Sequence, residues 1–288
     1  MPELEPQRLD VPGATLEVLT GGAVGPLVCV VPHPLLPPSR EGGVLAEISR
    51  VVKVSPRGLG GSSAGAEPHD LTIDRLVDDV DALRRHLGLD RWLLHGSSGG
   101  GEVLLRYALR YPEAVAALVL AGCPPGFHRL LDDSRTPLSP AYPEWQRLLE
   151  RRPPAAAQGW GWAPLQEPPE VWVLSEDGQP RLTARGIPAS GPTARDRVVW
   201  QEVVTFRFGA GDLGQIRAPA LVVHGRHDPI VPLEYGAALS AALPNAELVV
   251  FEHSEHLVTR AEPERYREVV GRFLAAHAPP SARPAAPA

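Results

Sequence analysis

Residues 93–107 read LLHGSSGGGEVLLRY. An apolar run enters a cluster of glycines and serines, and a helical pattern leaves it. A phosphate cradle, a flexible linker and the seat of a nucleophile are all written this way. A phosphate loop places Lys after its glycines; here Glu102 stands there and repels phosphate, and the dinucleotide pattern G-x-G-x-x-G does not fit. A linker is not wedged between a buried strand and an amphipathic helix. The pattern that fits is G-x-S-x-G, over Gly96, Ser97, Ser98, Gly99 and Gly100. Small residues two before and two after Ser98 allow a sharp strand-to-helix turn, which holds the serine in a strained conformation at the top of a sheet. Ser97 fails the pattern, because His95 lies two residues before it. The helix beyond Ser98 aims its positive end at a reacting carbon, and the Gly99 N–H is placed to donate to an oxyanion.

Working outward, LVCVV (27–31) and VVKV (51–54) are β-branched runs of buried parallel strands. Residues 71–89 carry Leu76, Val80, Leu83 and Leu87 at helical spacing, with Thr72 as N-cap and Gly88 as stop. Strand 91–95, the glycine turn, helix 101–111 and strand 115–122 follow. After an interruption, strand 219–225, helix 233–243, strand 246–251 and helix 263–277 resume the alternation. Repeated β-α-β order implies an α/β fold with a mostly parallel sheet of the eight-stranded type, flanked by helices. Residues 1–122 and 213–278 are expected to form this core. Residues 123–212, rich in Pro, Gly and Arg, hold five of the six tryptophans and read as an insertion. The Pro/Ala-rich 279–288 reads as a disordered tail.

A serine hydroxyl needs a base, and the base needs an orienting acid, in the chain order Ser, acid, His on such a scaffold. LVVHGRHDPIVP places Asp228 just past a strand, and FEHSEHLVTRAEPE places His256 in the loop after the last strand. Both fall at the carboxyl edge of the sheet, where sites of α/β folds gather. The other acid position, after the strand that follows the elbow, reads Gly122-Cys123 and has no carboxylate. His253 competes with His256 but directly follows the strand, and is read as a supporting residue. His224, His227, Asp228, His253 and His256 include zinc-ligating types, but their spacing matches no zinc motif and leaves the elbow unexplained. No metal and no cofactor are expected.

The 288 residues carry a net charge of −6 and no basic block, which argues against nucleic acid as a partner. The apolar runs are too short to span a bilayer. MPELEPQRLD has neither the basic nor the apolar region of a signal peptide. Cys29 and Cys123 sit in or beside apolar segments and read as small buried side chains in a reducing, cytoplasmic setting. Lys53 is the single lysine among 28 basic residues, which reads as codon bias. A small-molecule substrate is the expected partner.

These segments together resemble the α/β-hydrolase fold superfamily over almost the whole core. VVPHPLL resembles its His-Gly loop, SPRGLGGSS (55–63) its D-x-R-G-x-G-x-S loop, and the elbow, acid and histidine segments match in order. Pro34 stands where the family has Gly, and Ser55 where it has Asp, which removes one partner for Arg57. The resemblance implies that Leu35, or alternatively Leu36, supplies the second oxyanion N–H, and that 123–212 is a lid. Trp160 and Trp162 of the lid, with Ser97 and His33, are expected to line the substrate pocket, although the tryptophans equally suit the lid's own core. Relatives with dehalogenase or epoxide hydrolase chemistry need Asp at the elbow, so Ser98 points to acyl transfer. Ester or lactone hydrolysis is the expected activity. Proline iminopeptidase, C–C hydrolase and perhydrolase branches share the core chemistry, and GGGEVLLRY is similar to the perhydrolase branch. In the iminopeptidase branch lid carboxylates hold the substrate amine, which brings in Glu144, Glu150, Glu167, Glu170, Glu176 and Asp177; each reads first as a solvated charge. A non-catalytic binding protein is the rival from another class, and it has no need of an intact Ser98, Asp228 and His256.

Overall fold

In the computed structural model, residues 3–22, 24–35, 43–65, 67–136, 139, 171–174, 180–183 and 194–279 are described. The chain runs β1 (Glu5–Val11), β2 (Ala14–Gly21), β3 (Leu27–Val31), α1 (Leu45–Ile48), β4 (Arg50–Val54), α2 (Ile73–His86), β5 (Trp92–Ser97), α3 (Gly99–Arg110) and β6 (Val115–Ala121). It continues with α4 (Phe127–Asp132), β7 (Val171–Leu174), β8 (Pro180–Thr183), α5 (Ala194–Thr205), β9 (Ala220–Gly225), α6 (Leu233–Ala242), β10 (Ala246–Phe251), α7 (Val258–Ala261) and α8 (Pro263–His277). Eight strands form one sheet in the order β1-β2-β4-β3-β5-β6-β9-β10. Both pairings of β2 are antiparallel and the rest beyond β4 are parallel, so the expected α/β architecture is present.

The central strands β5, β6 and β9 are buried along nearly all of their length, which is why they read as unbroken apolar runs. Alternate residues feed two cores. Leu94, Leu118, Leu120 and Val222 pack with α2 and α3 on one face; Leu93, Val119, Leu221 and Val223 pack with Tyr266, Val270 and Leu274 of α8 on the other. The α2 helix begins where Thr72 accepts the Arg75 N–H at 3.2 Å, and the chain leaves it at Gly88, whose φ is 65°.

Arg57 shows how the loops at the carboxyl edge are held. The absent Asp at position 55 is replaced by partners from other elements. Asp79 of α2 takes Arg57 Nε and Nη2 at 2.8 and 2.9 Å, Asp70 takes Nη1 at 3.2 Å, and Pro12 O accepts from Nη2 at 3.1 Å. Ser55 instead donates to the buried Glu17 carboxylate at 2.7 Å, and the same oxygen accepts the Gly61 N–H at 3.0 Å. The 55–63 loop is thereby fastened to the β1–β2 hairpin on one side and to α2 on the other.

The α5 helix is tied to the sheet and its loops. Arg195 donates to Arg57 O at 2.6 Å and to Pro34 O. Glu202 accepts the Ile73 N–H at 2.7 Å, at the head of α2. Arg106 of α3 pairs with Glu102 at 2.8 Å and lies 3.5 Å over the Phe206 ring. Among the described residues no helix is long and apolar enough to cross a membrane.

Arg57→Ala strands the Asp79 carboxylate, which is 2% exposed, and should lower unfolding free energy by about 3–5 kcal/mol in urea melts. Arg57→Lys, a point charge without the fork, should recover only part of it. A loss under about 1 kcal/mol in Arg57→Ala would put this cluster at the level of a surface ion pair.

Candidate active site

Ser98 closes β5 and opens α3 with φ 49° and ψ −122°, and it is the only non-glycine with positive φ among the described residues. Its N–H donates to Ala121 O at 3.0 Å, and its C=O accepts the Gly101 N–H at 2.9 Å. Its hydroxyl makes no capping bond to α3 and so is not spent on the helix. The glycines around it are forced by close backbone. A Cβ at Gly96 would sit 2.8 Å from Gly100 O, and one at Gly100 2.6 Å from Val31 O. One at Gly101 would sit 2.7 Å from Cys123 Cβ and closer to its sulfur. Cys123 is fully buried under the turn, and burial pushes its thiol up to about 12, so it stays a neutral packing group. Cys29 is likewise buried, and burial raises its thiol further.

Asp228 lies just beyond β9. Its Oδ1 accepts the Ile230 and Val231 N–H groups, each at 2.9 Å, and Oδ2 accepts His256 Nδ1–H at 2.7 Å. This fixes the His256 proton on Nδ1 and leaves Nε2 as the basic nitrogen. His224, fully buried on β9, donates from Nε2 to Val231 O at 2.7 Å and stands 3.5 Å from the same Asp228 oxygen. Burial lowers its pKa, which favours the neutral ring.

The His256 ring rests on Gly122, where a Cβ would lie 3.3 Å from Cε1 and Nδ1. Gly122 follows Ala121, the residue that accepts the Ser98 N–H, so the end of β6 carries the imidazole beside the elbow. The loop holding His256 is itself pinned. Glu262 Oε2 accepts the His253 N–H at 3.0 Å and the Ser254 hydroxyl at 2.7 Å. Gly225 lets this loop cross β9, since a Cβ there would lie 2.5 Å from Ser254 O. The His253 side chain is exposed and contributes only its backbone here.

Beneath the elbow, the Tyr266 hydroxyl lies 2.8 Å from His95 Nε2, and burial followed by the Lys53 charge lowers His95 to about 4. Sequence reasoning passed over Glu262, Tyr266 and His95. The one signal it offered was Gly225, a glycine ending an otherwise apolar strand.

The loop after β3 is the one expected to supply a second oxyanion donor from Leu35 or Leu36. The Leu35 N–H is turned onto His33 Nδ1 at 3.1 Å, so in this structure it is engaged by the imidazole. Pro34 stands between them, and its C=O accepts from Arg195. His33 lies against Gly99, and Ser97 is half-buried at the end of β5. Burial, then the nearby His256 and Arg195, lower His33 to about 4. Leu36, Trp160, Trp162 and the carboxylates Glu144, Glu150, Glu167, Glu170, Glu176 and Asp177 lie outside the described residues. Among the described residues, no group of three or more His, Cys, Asp or Glu is placed to hold a metal ion.

A model of the alpha/beta hydrolase fold family matches residues 43–259. The chain belongs to this family. It is 30% identical over 239 residues to a proline iminopeptidase of Neisseria gonorrhoeae, covering 75% of this chain and 77% of that one. It is 32% identical over 244 residues to a putative carbamate hydrolase of Rhizobium rhizogenes, covering 81% and 85%. The structure of an alpha/beta fold family hydrolase from Bacillus anthracis superposes with a TM-score of 0.71 at 17% identity, covering 96% of this chain and 100% of that one. In this α/β hydrolase the elbow, the acid and the histidine converge at the carboxyl edge of the sheet.

Asp228→Asn places an amide against His256 and favours the wrong tautomer. It should leave the fold intact and lower the hydrolytic kcat by about 10⁴, measured on whichever substrate the enzyme turns over. A fall of less than about tenfold would remove Asp228 from that role.

Proposed function

We propose that this hydrolase cleaves a carboxylic ester or lactone of a small, partly apolar substrate through an acyl-enzyme on Ser98. The observation that carries the reading is the Asp228–His256 hydrogen bond of 2.7 Å beside a serine held at positive φ. His256 Nε2 takes the Ser98 proton as Oγ adds to the carboxyl carbon, and then gives it to the leaving alkoxide. Asp228 holds the imidazole and offsets its positive charge. The Gly99 N–H, at the head of α3, donates to the oxyanion, a contact of the kind that contributes roughly 2.7–4 kcal/mol. Water, activated by His256, then releases the acid. No metal or organic cofactor takes part in these steps. Residues 123–212 serve as the lid that excludes water and shapes the pocket, and the chain works as a cytoplasmic enzyme.

The second reading is an aminopeptidase that removes N-terminal proline. It is favoured by the 30% identity to the Neisseria gonorrhoeae proline iminopeptidase. The two differ in what the lid must hold: an apolar acyl group, or a protonated amine that needs a carboxylate.

A ladder of 4-nitrophenyl esters from acetate to decanoate, assayed beside L-prolyl and L-alanyl 4-nitroanilide, separates them. Wild type should turn over esters with an optimum at short to medium chains, and Ser98→Ala should fall to the buffer rate. Turnover of the prolyl anilide alone would replace the esterase reading by the peptidase one. Equal rates for wild type and Ser98→Ala on every compound would favour a binding protein.

A further inference from the structure

The elbow pattern asks for small residues at 96 and 100 and leaves position 99 open. Backbone contacts account for Gly96 and Gly100, but they do not account for Gly99, whose φ is not positive. What faces Gly99 is the imidazole of His33. A Cβ at position 99 would lie 3.0 Å from the ring's Cε1 and closer still to Nε2 and Cδ2. The absence of a side chain at 99 therefore lets the Nε2 edge of His33 reach the backbone unit whose N–H is the first oxyanion donor.

The ring is oriented by its other nitrogen. The Leu35 N–H donates to Nδ1 at 3.1 Å, which requires the Nδ1 lone pair. A neutral ring then carries its proton on Nε2. Phe127 braces the ring edge-on, with centroids 6.5 Å apart and planes at 88°. Burial, with His256 and Arg195 nearby, holds the His33 pKa at about 4, so the ring is neutral near pH 7. Neutrality matters, because a cationic His33 would repel the imidazolium that forms on His256. The Leu35 N–H, one of the two backbone donors expected from this loop, is thus spent on aligning a side-chain donor.

We propose that His33 Nε2–H, beside the Gly99 N–H, is the second donor to the oxyanion that forms when Ser98 attacks. This rests on the serine hydrolase reading. As the Ser98 Oγ–C bond forms, the carbonyl π pair moves onto oxygen and the Ser98 proton moves to His256. His33 donates a hydrogen bond and keeps its proton. Collapse restores the carbonyl and expels the leaving group with the proton from His256. His33 is therefore a catalytic residue of the addition step, acting by charge stabilisation alone.

The test uses full-length protein with ¹⁵N-labelled histidine, before and after reaction with a fluorophosphonate whose P=O takes the oxyanion position. His33→Gln assigns the His33 signals. At pH 7 the free protein should show His33 as the neutral Nε2–H tautomer, and adduct formation should move that Nε2–H proton downfield. On the best 4-nitrophenyl ester, His33→Ala should lower kcat about 10²–10³-fold with KM changed far less. His33→Gln, which keeps an N–H donor, should recover part of the loss. An Nδ1–H or doubly protonated ring, an Nε2–H signal indifferent to the adduct, or a His33→Ala kcat within about threefold of wild type would overturn the assignment. The spectra are taken on wild type, so a poorly folding variant does not shield the idea. Wild type that forms no adduct and hydrolyses no ester would overturn the serine hydrolase reading, and this inference with it.

Discussion

The structure depends on one strained residue. Ser98 sits at φ 49°, a conformation that costs an L-residue on the order of 1–3 kcal/mol. It persists because its surroundings leave the backbone no alternative. β5 enters the turn between β3 and β6, and α3 leaves it with Gly100 pressed on Val31 O. Positions 96, 99, 100 and 101 are glycines, where a Cβ would collide with main chain, with Cys123 or with His33. The strain lifts the hydroxyl clear of helix capping, and so the side chain is left to chemistry. The order of the sheet then decides what it meets. β9 and β10 lie on the β6 side of β5, and their following loops deliver Asp228 and His256 to the same edge.

Much of this was legible in the sequence, for identifiable reasons. The central strands bury both faces, so their apolar runs are continuous; β3, β10 and α8 also begin and end where the pattern says. The elbow could be read because its steric demands act on immediate neighbours. The β1–β2 hairpin was not foreseen. β1 exposes all but Leu9 and, in part, Val11, so it shows no apolar alternation to separate it from a loop. The short α1 and α7 carry too few residues for a helical period.

What escaped the reading at the site shares one physical cause: it is set by contacts between distant segments. Arg57 lost its expected Asp at position 55, yet α2 supplies Asp79 22 residues away. Nothing in the acidic run 78–81 says which carboxylate turns inward. Arg195 reaches Pro34 across 161 residues and fastens the oxyanion loop to α5. Pro34 and Gly99 lie far apart in sequence. In space they are one arrangement, in which the 32–35 loop lays an imidazole over the head of α3.

The central claim is a covalent intermediate on Ser98, and trapping it is the most direct test. Wild type mixed with 4-nitrophenyl acetate, quenched in acid within the first turnover and digested, should yield one acetylated peptide. Fragmentation mass spectrometry should place the acetyl group on Ser98. An acetyl group on Ser97 instead, or rapid ester hydrolysis with no acetylated serine in the 93–107 segment, would contradict the account.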